Sequence, residues 1–342
     1  MKKLLALVLA LAMVLAMAAC GQKNEPAQDD SQDQTDGSLE PVTLTIYAPG
    51  SGVPLKTIEE FSRLVGEASN GAITVDVHGN GELGDDADAI DATRMGTIDI
   101  IYAGTSGFTS FYEPAKMLDL PFLFDSADEA YDVVNGEIGE ELFKDFSDYG
   151  LVYLASGDNG LRQIATTNRP INTADDVKGL KIRVPTSQMY LDVWEALGAT
   201  PVALALPELA IALSNGTAEA QDNATYHLVA NATYDDIKYF SFINYMWMGI
   251  TMAMNADKWN RLQPEAQTII KEQAVAAAKY GFDLIAADNE AGIKTLEDAG
   301  VEFNFEPDVQ SFKDALGGSD YYNRYANETW FSQDILDAIL AK

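Results

Sequence analysis

The sequence predicts an α/β protein, and three observations support that prediction. Short β-rich segments alternate with amphipathic helical segments in the first half of the chain, as in sheets built from parallel strands. A second block of strands and short helices follows, and 342 residues accommodate about two domains. An Ala-rich segment then begins at Pro264 and contains no further proline before Gly300. We therefore expect two lobes, a largely parallel sheet and one long helix that bridges the lobes.

The first 19 residues have the pattern of an export signal. Lys2 and Lys3 precede an apolar run from Leu4 to Ala19, which is short for a membrane-spanning helix. The run ends next to Cys20, the only cysteine, in a segment that resembles a bacterial lipobox with Met17 in place of the usual Leu. Residues 1–19 are therefore predicted to be a signal peptide and Cys20 a lipidation site. The alternative is an ordinary signal peptide in which Cys20 has no role.

Residues 20–41 are expected to form a flexible, lipid-anchored linker. The stretch after Cys20 is polar and acidic and has no aromatic residue, so it buries too little apolar area to fold. A linker of this kind holds a folded body away from a membrane. We expect an extracytoplasmic protein, anchored to the cell membrane at the cell surface or in the periplasm.

The first block of the body alternates strand and helix. Apolar and β-branched runs predict strands, and apolar residues at helical spacing predict the helices between them. The predicted elements are strands at Val42–Tyr47, Ile73–His78 and Ile98–Ala103, and helices at Pro54–Ser69 and Asp86–Met95.

The second block repeats this pattern. Its predicted elements are strands at Leu151–Gly157, Arg162–Thr167 and Lys181–Pro185, helices at Ser187–Leu197 and Pro207–Ser214, and a long apolar segment at Phe240–Asn255. A proline in the first turn and a terminal glycine define a helix over about 264–299, with Gly281 as a point of bending. We assign residues 42–163 and 252–342 to lobe I, and residues 164–251 to lobe II.

Composition excludes several functions. The chain has 53 acidic and 22 basic residues, a net charge of −31, whereas nucleic acids and anionic membrane surfaces bind clustered cations. One cysteine and two histidines leave little basis for a zinc site, and we expect no metal and no cofactor. The sequence has no G-x-S-x-G, H-E-x-x-H or Walker-type motif. Although a carboxylate-pair glycosidase is not removed by counting alone, we expect no enzyme.

A family resemblance lies in the second block. Residues 160–202, which include GLRQIATT and KIRVP, closely resemble the central region of the solute-binding proteins of TRAP transporters, the DctP-like family. Segments similar to the same family occur in order over about residues 42–300. The resemblance implies a periplasmic-binding-protein-like fold that closes an interlobe cleft on a small organic acid. It also implies delivery of that acid to one small and one large integral membrane subunit by a monomeric binding protein.

The resemblance also implies which residues bind the ligand. The family's carboxylate-binding arginine matches Arg183, and its earlier arginine in the G-x-R-Q stretch matches Arg162. A planar guanidinium presents paired donors to a carboxylate, which lysine does not. The family's Q-E-N-P stretch reads Gln221-Asp222-Asn223-Ala224 here, so the asparagine is kept while Asp and Ala replace Glu and Pro. The remaining candidate ligand-binding residues are Thr186, Trp247, Leu206, Thr105, Gly104, Pro49 and Ala48.

Other functions stay open at this point. A ligand-binding sensor lipoprotein would need the same cleft without a transporter, and a binding protein of the ABC type has the same two-lobed organisation. C4-dicarboxylates, sugar acids, keto acids and aromatic acids all suit an arginine-anchored cleft, and Leu206 with Trp247 favours a partly apolar ligand. The acidic composition does not exclude an acidic ligand, because the charge that binds it is local and positive.

Overall fold

The computed structural model describes residues 39–342. Nine strands lie in a single sheet in the order β2-β1-β3-β8-β4-β7-β5-β6, with β9 paired to β8. The strands are β1 Val42–Tyr47, β2 Ile73–His78, β3 Ile100–Gly104, β4 Leu151–Thr166, β5 Lys181–Val184, β6 Thr200–Ala203, β7 Ala220–Asn223, β8 Tyr239–Asn255 and β9 Glu302–Asn304.

Helices cover the sheet and connect its strands. The α-helices are α1 Val53–Ala68, α2 Asp86–Arg94, α3 Thr105–Phe108, α4 Ala127–Val134, α5 Glu137–Leu142, α6 Gln188–Ala196, α7 Leu209–Ser214, α8 Thr225–Ala230, α9 Ala256–Trp259, α10 Pro264–Asp298, α11 Val309–Leu316 and α12 Gln333–Leu340. Short 3-10 helices are present as well, and the segment Glu113–Asp119 contributes to the site described below. No helix in residues 39–342 is long and apolar enough to cross a membrane.

The α/β fold and its long helix agree with the sequence prediction, but the sheet is more mixed than expected. Strands β1, β2 and β3 pair in parallel, as do β5, β6 and β7. Strands β4 and β8 join the two parallel groups. They run antiparallel to each other, β4 runs antiparallel to β7, and β8 runs antiparallel to β3. The apolar segment at Phe240–Asn255 is thus the central strand β8, which was not assigned from sequence.

Strand β4 corrects a second prediction. The segments Leu151–Gly157 and Arg162–Thr167 were expected to be two strands, but they form one strand of 16 residues. Its register against β8 shifts between Asp158 and Leu161, which is the geometry of a β-bulge. The bulge absorbs the turn-like sequence without breaking the strand. The boundary proposed after residue 163 falls within β4, and the boundary proposed after residue 251 falls within β8. The division into two lobes stays a prediction.

Helix α10 packs on elements of both predicted lobes. Its 35 residues extend about 50 Å. At Gly281 it contacts Thr57 of α1, and at Gly292 a Cβ atom would lie 3.1 Å from Thr225 Cγ2 on α8. Both glycines are therefore explained by close packing, and the bend expected at Gly281 stays a prediction.

Candidate functional site

Three neighbouring strands bring the predicted anion-binding residues together. Strand β7 lies between β4 and β5, with Asp222 opposite Ile164 and Gln221 opposite Arg183. This register places Arg162, Asp222 and Arg183 on adjacent strands, although 60 residues separate Arg162 from Asp222. All three side chains are buried.

Arg162 is bonded to the protein through all three guanidinium nitrogens. Its Nε donates to Asp222 Oδ2 at 2.7 Å, its Nη2 donates to the Asp222 carbonyl and its Nη1 contacts Met248 Sδ at 2.7 Å. The guanidinium carbon also lies 4.9 Å from the ring centre of Tyr190. Burial opposes its charge, yet Asp222 holds the pKa of Arg162 above its ordinary value. Contacts within the protein therefore hold Arg162 in position.

Arg183 has a different environment. Its Nε donates to the Leu204 carbonyl at 3.0 Å, and it has no carboxylate within 4 Å among residues 39–342. Burial lowers the pKa of its guanidinium, the charge of Arg162 lowers it further, and Asp222 opposes both. A buried cation without an ion-pair partner is costly, and an anion bound beside it removes that cost.

Asp222 is the carboxylate that both arginines share. The side chain is fully buried, and its Oδ2 accepts from Arg162 and from the Tyr245 hydroxyl. Its Oδ1 has no hydrogen-bond partner in the described part of the chain. Asp222 is therefore paired with Arg162, while Arg183 has no ion-pair partner of its own among residues 39–342.

Asn223 and Trp247 lie close to this cluster. Asn223 is opposite Gln163 of β4 and is buried, with its side-chain oxygen accepting from the Ala224 backbone at 3.1 Å. Trp247 is buried in β8, donates from Nε1 to Asp158 Oδ1 at 2.7 Å and packs edge-on against Phe124. The Trp247 indole nitrogen is thus already engaged within the protein.

The candidates from lobe I lie at the ends of β1 and β3. Ala48 is buried and Pro49 is half-buried directly after β1. Thr105 is buried, and its Oγ1 lies 2.8 Å from Thr251 Oγ1 on β8. Gly104 precedes it, and a Cβ atom there would lie 3.2 Å from Asp86 Oδ2.

Thr105 and Trp247 approach each other around Gly249. A Cβ atom at Gly249 would lie 2.6 Å from Thr105 Oγ1 and 2.7 Å from Trp247 Cζ3. Glycine at this position leaves room beside β8 for both the Thr105 hydroxyl and the Trp247 indole. One strand, β8, therefore connects candidates from both predicted lobes.

A cavity of about 720 Å³ opens between the segments assigned to the two lobes. Its wall includes Thr186, two residues beyond the end of β5, and Asp119 from the other side. The volume is within the usual range for small-molecule sites. Leu206 is 39% exposed and does not line this cavity. Of the ligand-binding residues predicted from sequence, Thr186 alone is in its wall, and the two arginines lie outside that wall.

Several residues of this region were not predicted from sequence. Asp222 was identified only as a departure from the family pattern, and Asp119 was not identified at all. Tyr190 and Tyr245 are both buried and lie close enough to Asp222 and Arg162 for those charges to affect the pKa of each phenol. In the sequence, Tyr190 and Trp194 are four residues apart and share one face of α6, and this spacing indicates that both rings face the interior.

Comparisons with known proteins identify the family of the chain. Residues 46–327 match the sequence profile of DctP, described as bacterial extracellular solute-binding protein, family 7. The 2,3-diketo-L-gulonate-binding periplasmic protein of Escherichia coli is 30% identical over 260 residues, covering 76% of this chain and 79% of its own. The C4-dicarboxylate-binding periplasmic protein of Rhodobacter capsulatus is 26% identical over 247 residues, covering 72% of this chain and 74% of its own.

The fold comparison leads to the same family. A TRAP periplasmic solute-binding protein from Chromohalobacter salexigens, solved with bound D-glucuronate, superposes with a TM-score of 0.79. The two are 26% identical, and the match covers 87% of this chain and 99% of that one.

The fold and the cleft define the class as a two-lobed solute-binding protein and not an enzyme. The profile match covers most of the chain. The chain therefore belongs to bacterial extracellular solute-binding protein family 7, the DctP family. This confirms the resemblance and the fold class expected from sequence. The signal peptide, Cys20 and most of the linker lie outside the described residues.

Proposed function

We propose that this chain is the extracytoplasmic solute-binding subunit of a TRAP-type transporter, and that it captures a small organic acid in the interlobe cleft. The uncompensated charge of Arg183 is the observation that carries this proposal. A ligand carboxylate beside Arg183 supplies the ion-pair partner that this guanidinium lacks among residues 39–342. The relatives named above bind 2,3-diketo-L-gulonate, C4-dicarboxylates and D-glucuronate, all of which are organic acids.

The proposed mechanism uses the cleft as a charge-matched site. The acid docks on Arg183, which presents donors in a fixed fork, while Arg162 stays in position through Asp222. Asn223, on the strand between them, contributes an amide to the same wall. The closed form is selected only by contacts that the acid makes better there, so affinity and closure share one free energy.

Titration calorimetry on variants of Arg183 tests the proposal. D-glucuronate, succinate and 2,3-diketo-L-gulonate serve as probes, with Arg63→Lys as the control because Arg63 is half-exposed on α1 and pairs only with neighbouring glutamates. Arg183→Ala is expected to weaken binding of any bound acid by on the order of 3–5 kcal/mol, or more than 100-fold. Arg183→Lys is expected to fall between, because lysine keeps the charge and loses the fork. Wild-type affinity in both Arg183 variants would contradict the proposal.

We further propose that the protein is a monomer, anchored through a lipid on Cys20 and delivering the acid to the membrane subunits. Cys20 is the only cysteine, so fatty-acid labelling of the chain reports on one residue alone. The Cys20→Ala variant is expected to lose the label and to leave the membrane fraction while keeping its acid affinity. Membrane retention of an unlabelled variant would contradict the anchor without affecting the binding proposal.

A further inference from the structure

The cavity of about 720 Å³ has a strongly acidic wall. Five carboxylates and one lysine line it. Because Lys116 pairs with Glu113, with 2.5 Å between Nζ and Oε1, four of these carboxylates have no ion-pair partner among residues 39–342: Asp86, Asp119, Asp192 and Glu328. Neither Arg162 nor Arg183 belongs to the wall, so the arginine cluster does not balance this charge inside the cavity.

Asp119 points to a ligand more directly than the other carboxylates do. It ends the 3-10 segment Glu113–Asp119, is only 6% exposed and has no hydrogen-bond or ion-pair partner within residues 39–342. Among those residues, the unpaired side-chain atoms that are fully sealed from open space are Arg169 Nε and Asp222 Oδ1. The unpaired oxygens of Asp119 are therefore accessible, and the open space beside this residue is the cavity. Buried carboxylates are normally paired, so Asp119 calls for a donor that enters the cavity.

Two buried aromatic rings belong to the same wall. Tyr325 and Trp330 both line the cavity, and their ring centres are 5.2 Å apart. The ammonium group of Lys116 lies 5.8 Å from the ring centre of Trp330, so this indole already faces one cation. Carboxylates combined with an indole face are the chemistry that recognises organic ammonium groups.

The carboxylates suit an extended cation better than a metal ion. They belong to four separate segments, which are α2, the 3-10 segment, α6 and the chain between Tyr325 and α12. In the described part of the chain, no three His, Cys, Asp or Glu side chains converge closely enough to hold a metal ion. A linear molecule with several ammonium groups pairs instead with carboxylates that lie apart, and a volume of about 720 Å³ accommodates it.

We propose that this cavity is a second binding site that takes a linear polyamine, with Asp119 accepting a hydrogen bond from one of its ammonium groups. Asp192, which accepts a hydrogen bond from Gln188 on the same helix, is assigned to a second ammonium group. The Trp330 ring covers the chain between them. This site goes beyond the proposed function, because it requires neither arginine and takes a ligand of opposite charge.

Titration calorimetry with spermidine tests the site. The titration is run at about pH 8, because burial raises the pKa of Asp119 to about 7 and the carboxylate is the form that pairs with a cation. Salt at about 0.15 M screens the exposed acidic surface. The wild-type protein is expected to bind one spermidine, and Asp119→Asn is expected to weaken that binding by about 10-fold or more.

Two further variants complete the titration. Asp192→Asn is expected to weaken spermidine binding as well, and it tests the site independently of the folding of Asp119→Asn. Asp125→Asn is the matched control and is expected to bind like the wild type, because the Asp125 side chain is exposed, pairs with Lys313 and lies outside the cavity wall.

Three results would overturn the proposal. Unchanged spermidine affinity in both Asp119→Asn and Asp192→Asn, with an intact fold by thermal unfolding, would assign the binding to the acidic surface in general. Mg²⁺ binding that is as tight as spermidine binding and depends on Asp119 would replace the polyamine by a metal ion. Choline, which has a cation but no N–H donor, is expected to bind more weakly, and equal affinity would exclude the hydrogen bond to Asp119.

A spermidine titration with saturating D-glucuronate separates this inference from the proposed function. Spermidine affinity is expected to persist, because the arginines proposed to hold the acid lie outside the cavity wall. Displacement of spermidine by the acid would overturn the second site and leave acid binding intact. Absence of acid binding would overturn the proposed function and leave the spermidine result in place.

Discussion

The shared carboxylate of Asp222 provides the sharpest test of the electrostatic argument. Asp222→Asn keeps the size of the side chain and removes its charge, so two buried arginines lose the one carboxylate that compensates them. Asparagine also has an NH2 group in place of one carboxylate oxygen. A donor therefore replaces one of the acceptors next to the Arg162 Nε–H and the Tyr245 hydroxyl. We expect the variant to be less stable without ligand and to gain more from a bound acid than the wild type does.

The magnitude follows from the burial of the pair. Breaking a buried ion pair by removing one partner costs on the order of 3–5 kcal/mol, because the remaining charge is uncompensated. At roughly 2–4 °C per kcal/mol, a value for chains of about 150–250 residues, the melting temperature falls by on the order of 10 °C. An added acid supplies the missing charge next to Arg183, so it recovers part of that loss.

Thermal unfolding with and without D-glucuronate measures both effects. Asp175→Asn is the control, because Asp175 is exposed and pairs with Lys178 one helical turn away. That variant is expected to unfold like the wild type, since exposed ion pairs contribute little. Two results would refute the argument that the Asp222 carboxylate compensates the buried arginines. One is a melting temperature of Asp222→Asn within about 2 °C of the wild type, and the other is a ligand-induced increase no larger than that of the wild type.

Two further predictions concern packing and pH. Gly249→Ala places a Cβ atom 2.6 Å from Thr105 Oγ1 and 2.7 Å from Trp247 Cζ3, so urea unfolding should show a loss of about 1–3 kcal/mol. Gly66→Ala is its control: a Cβ atom added at Gly66, inside α1, would meet no heavy atom outside the helix backbone nearer than 4.0 Å, and alanine there should be neutral or stabilising. For Asp119, the raised pKa of about 7 means that the folded state keeps a proton that the unfolded state loses above about pH 4. Wild-type stability therefore decreases through this group as pH rises from 4 to 7, and the advantage of Asp119→Asn over wild type should grow by on the order of 3 kcal/mol between pH 5 and 8. A pH-independent difference would contradict that assignment.

Local patterns in the sequence were sufficient for most of the elements. Strands β1 and β2 and helix α10 lie where alternation, apolar spacing and a first-turn proline predicted them. The two long central strands were missed for a physical reason. The residues from Ser156 to Gly160 have the composition of a turn, but β8 pairs with β4 on both sides of this stretch and keeps it in the sheet as a bulge.

The candidate site was predictable in its residue types but not in its pairing. The resemblance identified Arg162 and Arg183 without showing that one is bound to Asp222 and the other is not. That difference depends on the register of β4, β7 and β5, which no local pattern encodes because the strands are far apart in the chain. Asp119 lies in a 3-10 segment after a proline, and its isolation becomes visible only once the cavity is formed.

The position of β8 couples the anion site to the opposite wall of the cleft. Met248 contacts the Arg162 guanidinium, and three residues later Thr251 contacts both Thr105 at 2.8 Å and Ser156 at 3.2 Å. One short stretch of β8 therefore contacts residues of both predicted lobes. A change of twist in this stretch moves Thr105 relative to Arg162, so a ligand that contacts both walls acts directly on the strand that joins them.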